Sequence, residues 1–324
     1  MRADEDPSLR ARIVRRVALM YAGGADAALD RPAHVRAASG LCWWRGRLAV
    51  VSDDASFLGV IDPETGLTTP ITLPHAPGGV RQFDKGRGNK PDKLDLECVT
   101  AVGERLYAFG SDSGLAVRRQ IAVIDGVDGA PRIVAVPRLY EAMRSPVLGR
   151  GCVNLEGAAA DGDRLVLGNR GGDVGEDGVA TRDAIAALEL AAFTALVDDP
   201  AHAPVPTITW HPLDLGDLDG APLHLTELHS VNGGLRFAAT AEATTTAYDD
   251  GRVTGSVVGF IAGPLDNPGI RWSRAVDETG APLVAKIEGI VAGLAPDRFL
   301  VAIDADDPAR PSELLEISLS GPEA

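Results

Sequence analysis

Short apolar strands broken by polar turns recur along this chain, and five stretches follow one plan. A strand carrying one polar residue leads into a tight turn, a second strand of β-branched and apolar residues, and a polar cluster. The copies are A-S-G-L-C-W-W-R-G-R-L-A-V-V-S-D-D from Ala38, L-E-C-V-T-A-V-G-E-R-L-Y-A-F-G-S-D-S from Leu96 and L-E-G-A-A-A-D-G-D-R-L-V-L-G-N-R-G from Leu155. Two more follow, L-T-E-L-H-S-V-N-G-G-L-R-F-A-A-T-A-E from Leu225 and I-E-G-I-V-A-G-L-A-P-D-R-F-L-V-A-I-D-A-D-D from Ile287. Their polar residues, Ser39, Glu97, Glu156, Thr226 and Glu288, stand 58, 59, 70 and 62 residues apart. That is the length of a four-stranded antiparallel sheet with generous loops, and Arg45-Gly46, Gly103-Glu104, Asp161-Gly162 and Asn232-Gly233 supply the hairpin turns.

Third strands follow as F-L-G-V-I, Q-I-A-V-I, A-I-A-A-L, S-V-V-G-F-I and E-L-L-E-I, and fourth strands as T-P-I-T-L, R-I-V-A-V, T-I-T-W and I-R-W-S. The last copy runs out of chain after its third strand, so the apolar run from Arg12 to Tyr21 is expected to complete it and to cover its edge. The pattern predicts an all-β fold: one propeller domain over residues 1–324, of five four-stranded antiparallel blades starting near 37, 95, 154, 224 and 286. Six blades is the alternative, disfavoured because the gaps between copies are too short to hide another. A helix is predicted within Ala184 to Val197, whose first residues also suit the third strand of blade three. The polar loop from Phe83 to Leu94 is expected to cover one mouth, and Thr244 to Gly251 to form a hairpin tip.

In a propeller the first strand of each blade lines the central channel, so Ser39, Glu97, Glu156, Thr226 and Glu288 should converge on the axis. Three carboxylates brought together repel unless a cation neutralises them. A roomy, oxygen-only set of hydroxyls and carboxylates suits calcium. The plainer alternative is solvated glutamates paired with Lys93 or Lys286. By the same repeat symmetry the second strands end at one mouth, gathering Asp53, Asp54, Ser111, Asp112, Ser113, Asn169, Arg170, Glu242, Asp304, Asp306 and Asp307. Asp53, Asp54, Arg170 and Asp304 are the candidate catalytic residues, a carboxylate serving as general base while the metal polarises a phosphoryl or carbonyl oxygen. Arg118, Arg119, Lys90, Lys93 and Glu242 are the candidate substrate-binding residues, with Lys85 and Arg87 nearby; Arg forks and Lys charges both suit phosphate. His224 and His229 read as packed or surface histidines, and one of Trp43 and Trp44 should pack between blades.

With its Ser, Glu, Glu, Thr, Glu series, the chain resembles the calcium-activated nucleotidases, or apyrases, whose inner strands carry Ser, Glu, Glu, Ser, Glu. Val51-Ser52-Asp53-Asp54 is similar to that family's Val-Asp-Asp, Leu167-Gly168-Asn169-Arg170 to its Leu-Pro-Arg, and Ile287-Glu288-Gly289 to its Tyr-Glu-Gly. The resemblance spans roughly residues 37 to 320 and implies five blades, a calcium ion on the axis and hydrolysis of nucleoside di- and triphosphates. Asp304-Ala305-Asp306-Asp307-Pro308 is similar to an acidic segment of β-propeller phytases, placed there near the N-terminus; phytase-like and esterase-like bacterial propellers are the competing relationship.

Composition narrows the function classes further. The net charge of −15, from 31 Lys and Arg against 46 Asp and Glu, offers no general attraction to nucleic acid or anionic membranes. Cys42, Cys98 and Cys152 lack metal or disulfide spacing and read as small core residues. No segment resembles a signal peptide, so a cytoplasmic location is expected, a secreted one following only if a leader has been removed. Two classes stay open: a calcium-dependent hydrolase of small anionic phosphoanhydride or phosphoester substrates, and a non-catalytic scaffold whose axial ion staples the blades while a surface binds a protein partner.

Overall fold

The computed structural model describes residues 2–126, 129–149, 153–174, 178–232, 234–243 and 252–321. Its strands form antiparallel sheets that each run outward in chain order. Blade one holds Ala38–Trp44, Arg47–Ser52, Phe57–Ile61 and Leu67–Thr72, and blade two Leu96–Val102, Arg105–Gly110, Gln120–Asp125 and Arg132–Ala135. Blade three holds Leu155–Asp161, Arg164–Asn169, Ala184–Glu189 and Thr209–Pro212, and blade four Ala221–Val231, Gly234–Ala243, Arg252–Ala262 and Gly269–Val276. The last sheet joins Lys286–Ala292, Arg298–Asp304 and Glu313–Ser320 to the N-terminal strand Arg10–Ala18. The first strands touch one another in a closed cycle, so the fold is a β-propeller with a central axis.

Alternation explains how the blades pack. Leu48 and Val50 face the cluster shared with the last blade, while Ala49 and Val51 face the cluster shared with blade two. A strand buried on both faces reads as a continuous apolar run, which is why R-L-A-V-V shows no polar alternation. Both tryptophans tie blade one to its neighbours. Trp44 is fully buried and its Nε1 donates to Glu104 O of blade two at 2.8 Å, whereas Trp43 Nε1 donates to Ala292 O on the other side at 2.7 Å. Arg45 and Gly46 both adopt positive φ, 53° and 73°, the conformation of a tight hairpin turn.

Three expectations about elements change. The strand expected over Arg12 to Tyr21 stops at Ala18; at Leu19 the chain leaves the last blade, and Met20–Tyr21 pairs in parallel with Leu67–Thr72 of blade one. Its other end pairs Ala11 and Arg12 in parallel with Ala275 and Val276 of blade four, so the segment straps three blades. The helix expected from Ala184 begins only at Leu190 and runs to Asp198, because Ala184–Glu189 is held as strand between Arg164–Asn169 and Thr209–Pro212. A second helix, Pro137–Met143, was not foreseen; it carries Pro137 in its first turn and buries Leu139, Tyr140 and Met143. The tip expected at Thr244 to Gly251 lies outside the described residues, as does Cys152. Among the described residues no helix is long and apolar enough to cross a membrane.

Deleting residues 1–21 removes the partner of Glu313–Ser320 and the strap to blades one and four, exposing an unpaired strand. The truncated chain is expected to lose soluble expression. A soluble product melting like the full chain would refute this role for the segment.

Candidate functional site

Each first strand carries a β-bulge at the same place. Pairing with the second strand shifts between Ala38 and Leu41, Leu96 and Cys98, Leu155 and Gly157, Leu225 and Glu227, and Ile287 and Gly289. The residues skipped are Ser39 with Gly40, Glu97, Glu156, Thr226 and Glu288. A bulge leaves its extra residue out of the ladder and re-aims the side chain. This device turns polar residues inward from strands that are otherwise apolar.

A polar cavity of about 520 Å³ opens at this end of the axis. Ser39, Glu97, Glu156 and Glu288 line it, and Ser39 Oγ donates to Glu97 Oε2 at 2.8 Å. Thr226 does not join them. It is fully buried and its hydroxyl donates to Ile287 O at 2.5 Å, satisfying a neighbouring strand. Asp53, Asp54, Arg170, Asp304, Arg118, Lys90, Lys93 and Glu242 all line the cavity. Arg119 does not; its Nε reaches Asp112 Oδ1 at 2.7 Å, and Arg144 holds the same carboxylate at 3.0 Å. The loop from Phe83 to Leu94 forms part of the wall through Asp84, Lys85, Gly86, Lys90, Pro91 and Lys93.

Cations are interleaved with the carboxylates. Lys93 Nζ bonds Asp53, lies 2.7 Å from Asp95 Oδ1 and 3.3 Å from Asp54, and Arg118 reaches Asp95 at 2.8 Å. Arg170 holds Glu242 at 2.8 Å and stands 3.8 Å from Glu156. Lys286 lies 3.5 to 3.8 Å from Asp306, Glu242 and Glu288. These ammonium and guanidinium groups do not bring Asp53, Glu97, Glu156, Glu288 or Asp304 down to ordinary acidity. Burial, with Asp53 and Glu156 adding to it, pushes Glu97 well above its usual range. Burial raises Glu156 to about 8 against the pull of Arg170, and Asp304 to about 8 with Asp306 and Glu288 contributing. It lifts Asp53 to about 7 despite Lys93. Burial also works to raise Asp95, but there Lys93 and Arg118 prevail and hold the carboxyl below its usual value.

The donor set fits a hard cation. Glu97, Glu156 and Glu288 offer carboxylate oxygens, and Ser39 keeps its lone pairs while donating its proton to Glu97. A divalent ion would replace the protons that burial forces on these groups. The expected convergence of the ring on one point is not met: among the described residues the carboxylates whose oxygens lie within 4.8 Å of one another are Asp53, Asp95 and Glu97, not the three ring glutamates, and there the Lys93 ammonium already bonds both aspartates.

Two features of the site escaped the sequence reading. Glu227, next to Thr226, is fully buried, and accepts from Leu41 N at 3.3 Å, Ala158 N at 3.4 Å and Leu228 N at 2.9 Å. Its reach from blade four to blade one crosses the axis. Burial raises its pKa well above the usual value, the three N–H groups pulling the other way. Room for it comes from glycine. At Gly40 a Cβ would lie 2.9 Å from Cys98 Cα and 3.0 Å from Glu227 Oε2, and Gly157 and Gly289 are similarly hemmed by backbone. The signal was present as a column: the residue after each polar one reads Gly40, Cys98, Gly157, Glu227, Gly289, four small residues and one glutamate. The other feature is His224, which lines the cavity, whereas His229 is packed, and burial pushes it down to about 4.

Fold and site together define a β-propeller with a carboxylate-rich axial cavity. Residues 34–319 match the family of unknown function DUF6929, and the chain belongs to that family. The curated proteins contain no match to it. Among solved structures, glutaminyl cyclase of Myxococcus xanthus aligns with a TM-score of 0.50 at 13% identity, over 96% of this chain and 97% of that one. An exo-1,5-α-L-arabinanase from a bovine ruminal metagenomic library aligns at 0.42 and 11% identity, over 88% and 92%. The arabinanase of Bacillus subtilis aligns at 0.40 and 9% identity, over 89% and 94%. The first of these likenesses is one of fold.

The raised carboxyls set the sign of a pH effect. Glu156 and Asp304 keep protons to about pH 8 when folded, against 4.5 and 3.8 for the ordinary groups. Between those values the native state binds more protons than the unfolded chain, so stability falls as pH rises. The melting temperature of chelator-treated protein is expected to drop between about pH 5 and about pH 8.5, and added calcium to restore more of it at the higher pH. Melting that is flat or rises over this range would contradict the assignment.

Glu227 provides a separate check. If its carboxyl is neutral, Glu227→Gln keeps the acceptor and changes the melting temperature little. Glu227→Ala orphans buried N–H groups at roughly 1–3 kcal/mol each and should lower melting by many degrees. Equal melting of the two variants would remove the axial role.

Proposed function

We propose that this propeller is a calcium-dependent hydrolase of small phosphoanhydride or phosphoester substrates, working in the axial cavity. The observation that carries the reading is the group Glu97, Glu156 and Glu288, turned inward by bulges and raised in pKa by burial. Ser39 and these glutamates would hold the ion, which supplies a Lewis acid for a substrate oxygen. Arg170, Arg118 and Lys90 line the same cavity and suit a phosphoryl group. Asp53, Asp54 and Asp304 stand at its wall, where Asp53 and Asp304, with raised pKa values, can exchange protons near neutral pH. The motif resemblance to calcium-activated nucleotidases supports this substrate class and rests on those motifs alone.

A second reading is favoured by one observation: Lys93, Arg170 and Lys286 already bridge the acidic groups. In that case the axis staples the blades, and a surface serves a protein partner. Turnover decides between them. Nucleotides, sugar phosphates, aryl esters and lactones are assayed with calcium and again with chelator. The hydrolase reading expects calcium-dependent release from a phosphate substrate, lost with chelator and weakened at least tenfold in Glu156→Gln; no turnover across the panel would overturn it.

A further inference from the structure

His224 lies on the cavity wall between blades three and four, apart from the carboxylate ring, and pairs with Asp183. Asp183 immediately precedes the strand Ala184–Glu189, and His224 lies in the strand Ala221–Val231. Asp183 Oδ2 is 2.8 Å from His224 Nδ1. Its Oδ1 accepts the backbone N–H of Gly171 at 3.1 Å and of Leu225 at 2.8 Å. A carboxylate ringed by donors acts as acceptor, so the proton between the two side chains sits on Nδ1, and the lone pair of the neutral ring is left on Nε2.

That nitrogen is kept uncovered. A Cβ at residue 172 would stand 2.6 Å from His224 Nε2, and Gly172 has a φ of 102° that disfavours any side chain there. At Gly171 a Cβ would lie 2.6 Å from Asp183 N and 2.8 Å from its Oδ2. Consecutive glycines at the end of blade three's second strand thus leave space for the aspartate and expose the histidine to the cavity. Gly171, Gly172 and His224 all line that cavity beside Arg170, whose charge interacts with Asp183.

We propose that His224 is the general base of the cavity, held in its working tautomer by Asp183, a role that rests on the hydrolase reading. Nε2 takes a proton from a water molecule as the water oxygen bonds to phosphorus. The bond from phosphorus to the leaving oxygen breaks, and the imidazolium returns the proton to that oxygen. Asp183 is a positioning residue: it accepts from Nδ1 and fixes the ring.

Two measurements on the full chain need no substrate. Long-range proton–nitrogen NMR of the imidazoles should place the proton of neutral His224 on Nδ1. Diethyl pyrocarbonate, which acylates an unprotonated ring nitrogen, should modify His224, as mapped by peptide mass spectrometry, and Asp183→Asn should slow that modification several-fold. With whichever phosphate ester the panel shows to be hydrolysed, His224→Gln should lower kcat about 100-fold with KM little changed, within the usual range for losing a general base. Asp183→Asn should lower kcat less, with Asp183→Glu partly restoring it. A proton on Nε2, an acylation rate indifferent to Asp183→Asn, or an unchanged kcat in His224→Gln would overturn the proposal. If the panel gives no turnover at all, the hydrolase reading falls by itself, and the tautomer and acylation results decide His224.

Discussion

Desolvation of carboxylates around the axis is the constraint on which the rest of this propeller depends. The apolar clusters between blades bring the first strands together, and the bulges then direct Glu97, Glu156 and Glu288 into the space that remains. Carboxylates there are costly as anions unless something positive accompanies them. Two answers coexist: tethered cations in Lys93, Arg170 and Lys286, and protons held to unusually high pH. Reactivity near neutral pH follows from the same strain, because a carboxyl poised at about 7 or 8 exchanges its proton where an ordinary one does not.

Close approach of the first strands makes a second demand, on size. Gly40, Gly157 and Gly289 stand where a Cβ would press on the neighbouring strand, and Cys98 is the small residue of blade two. Glu227 fills what four small residues leave open. Two of its three backbone hydrogen bonds leave its own strand, one to Ala158 of the neighbouring blade three and one to Leu41 of blade one, so one side chain ties blades one, three and four together.

Much of this was legible because strands declare themselves by period and spacing. Runs buried on two faces, such as Leu48 to Val51, and the recurring hairpin turns place the elements with small errors at their ends. Leu19 is one such error: an apolar residue there reads as more strand, and only the packing of its fully buried side chain shows the chain leaving one blade for another. Side-chain partners were less legible. Thr226 shares the column of the ring residues, yet a carbonyl at Ile287 lies within its reach and takes the hydroxyl. Arg119 looks as available as Arg118 until Asp112, at a positive φ of 71°, is found beside it. Column position tells where a residue sits and leaves its hydrogen-bond partner to be decided by the neighbouring blade.

The cavity is also uneven, and that asymmetry bears on its chemistry. On the side of blades one and two, Lys93 bonds Asp53 and Asp95 and stands near Asp54, with Arg118 behind, so aspartate charge is met by close cations. On the side of blades three and five, Arg170 and Lys286 spend their shortest contacts on Glu242 and Asp306, and stand 3.8 Å from Glu156 and Glu288. Coulomb attraction weakens with distance, so there burial raises the carboxyls of Glu156 and Glu288 against only a partial pull from these cations. Arg170 and His224 line the wall on that side as well. Lys93 thus braces the loop from Phe83 to Leu94 against blade one, while in the opposite sector Arg170 and Lys286 join blades three and five to Glu242 of blade four.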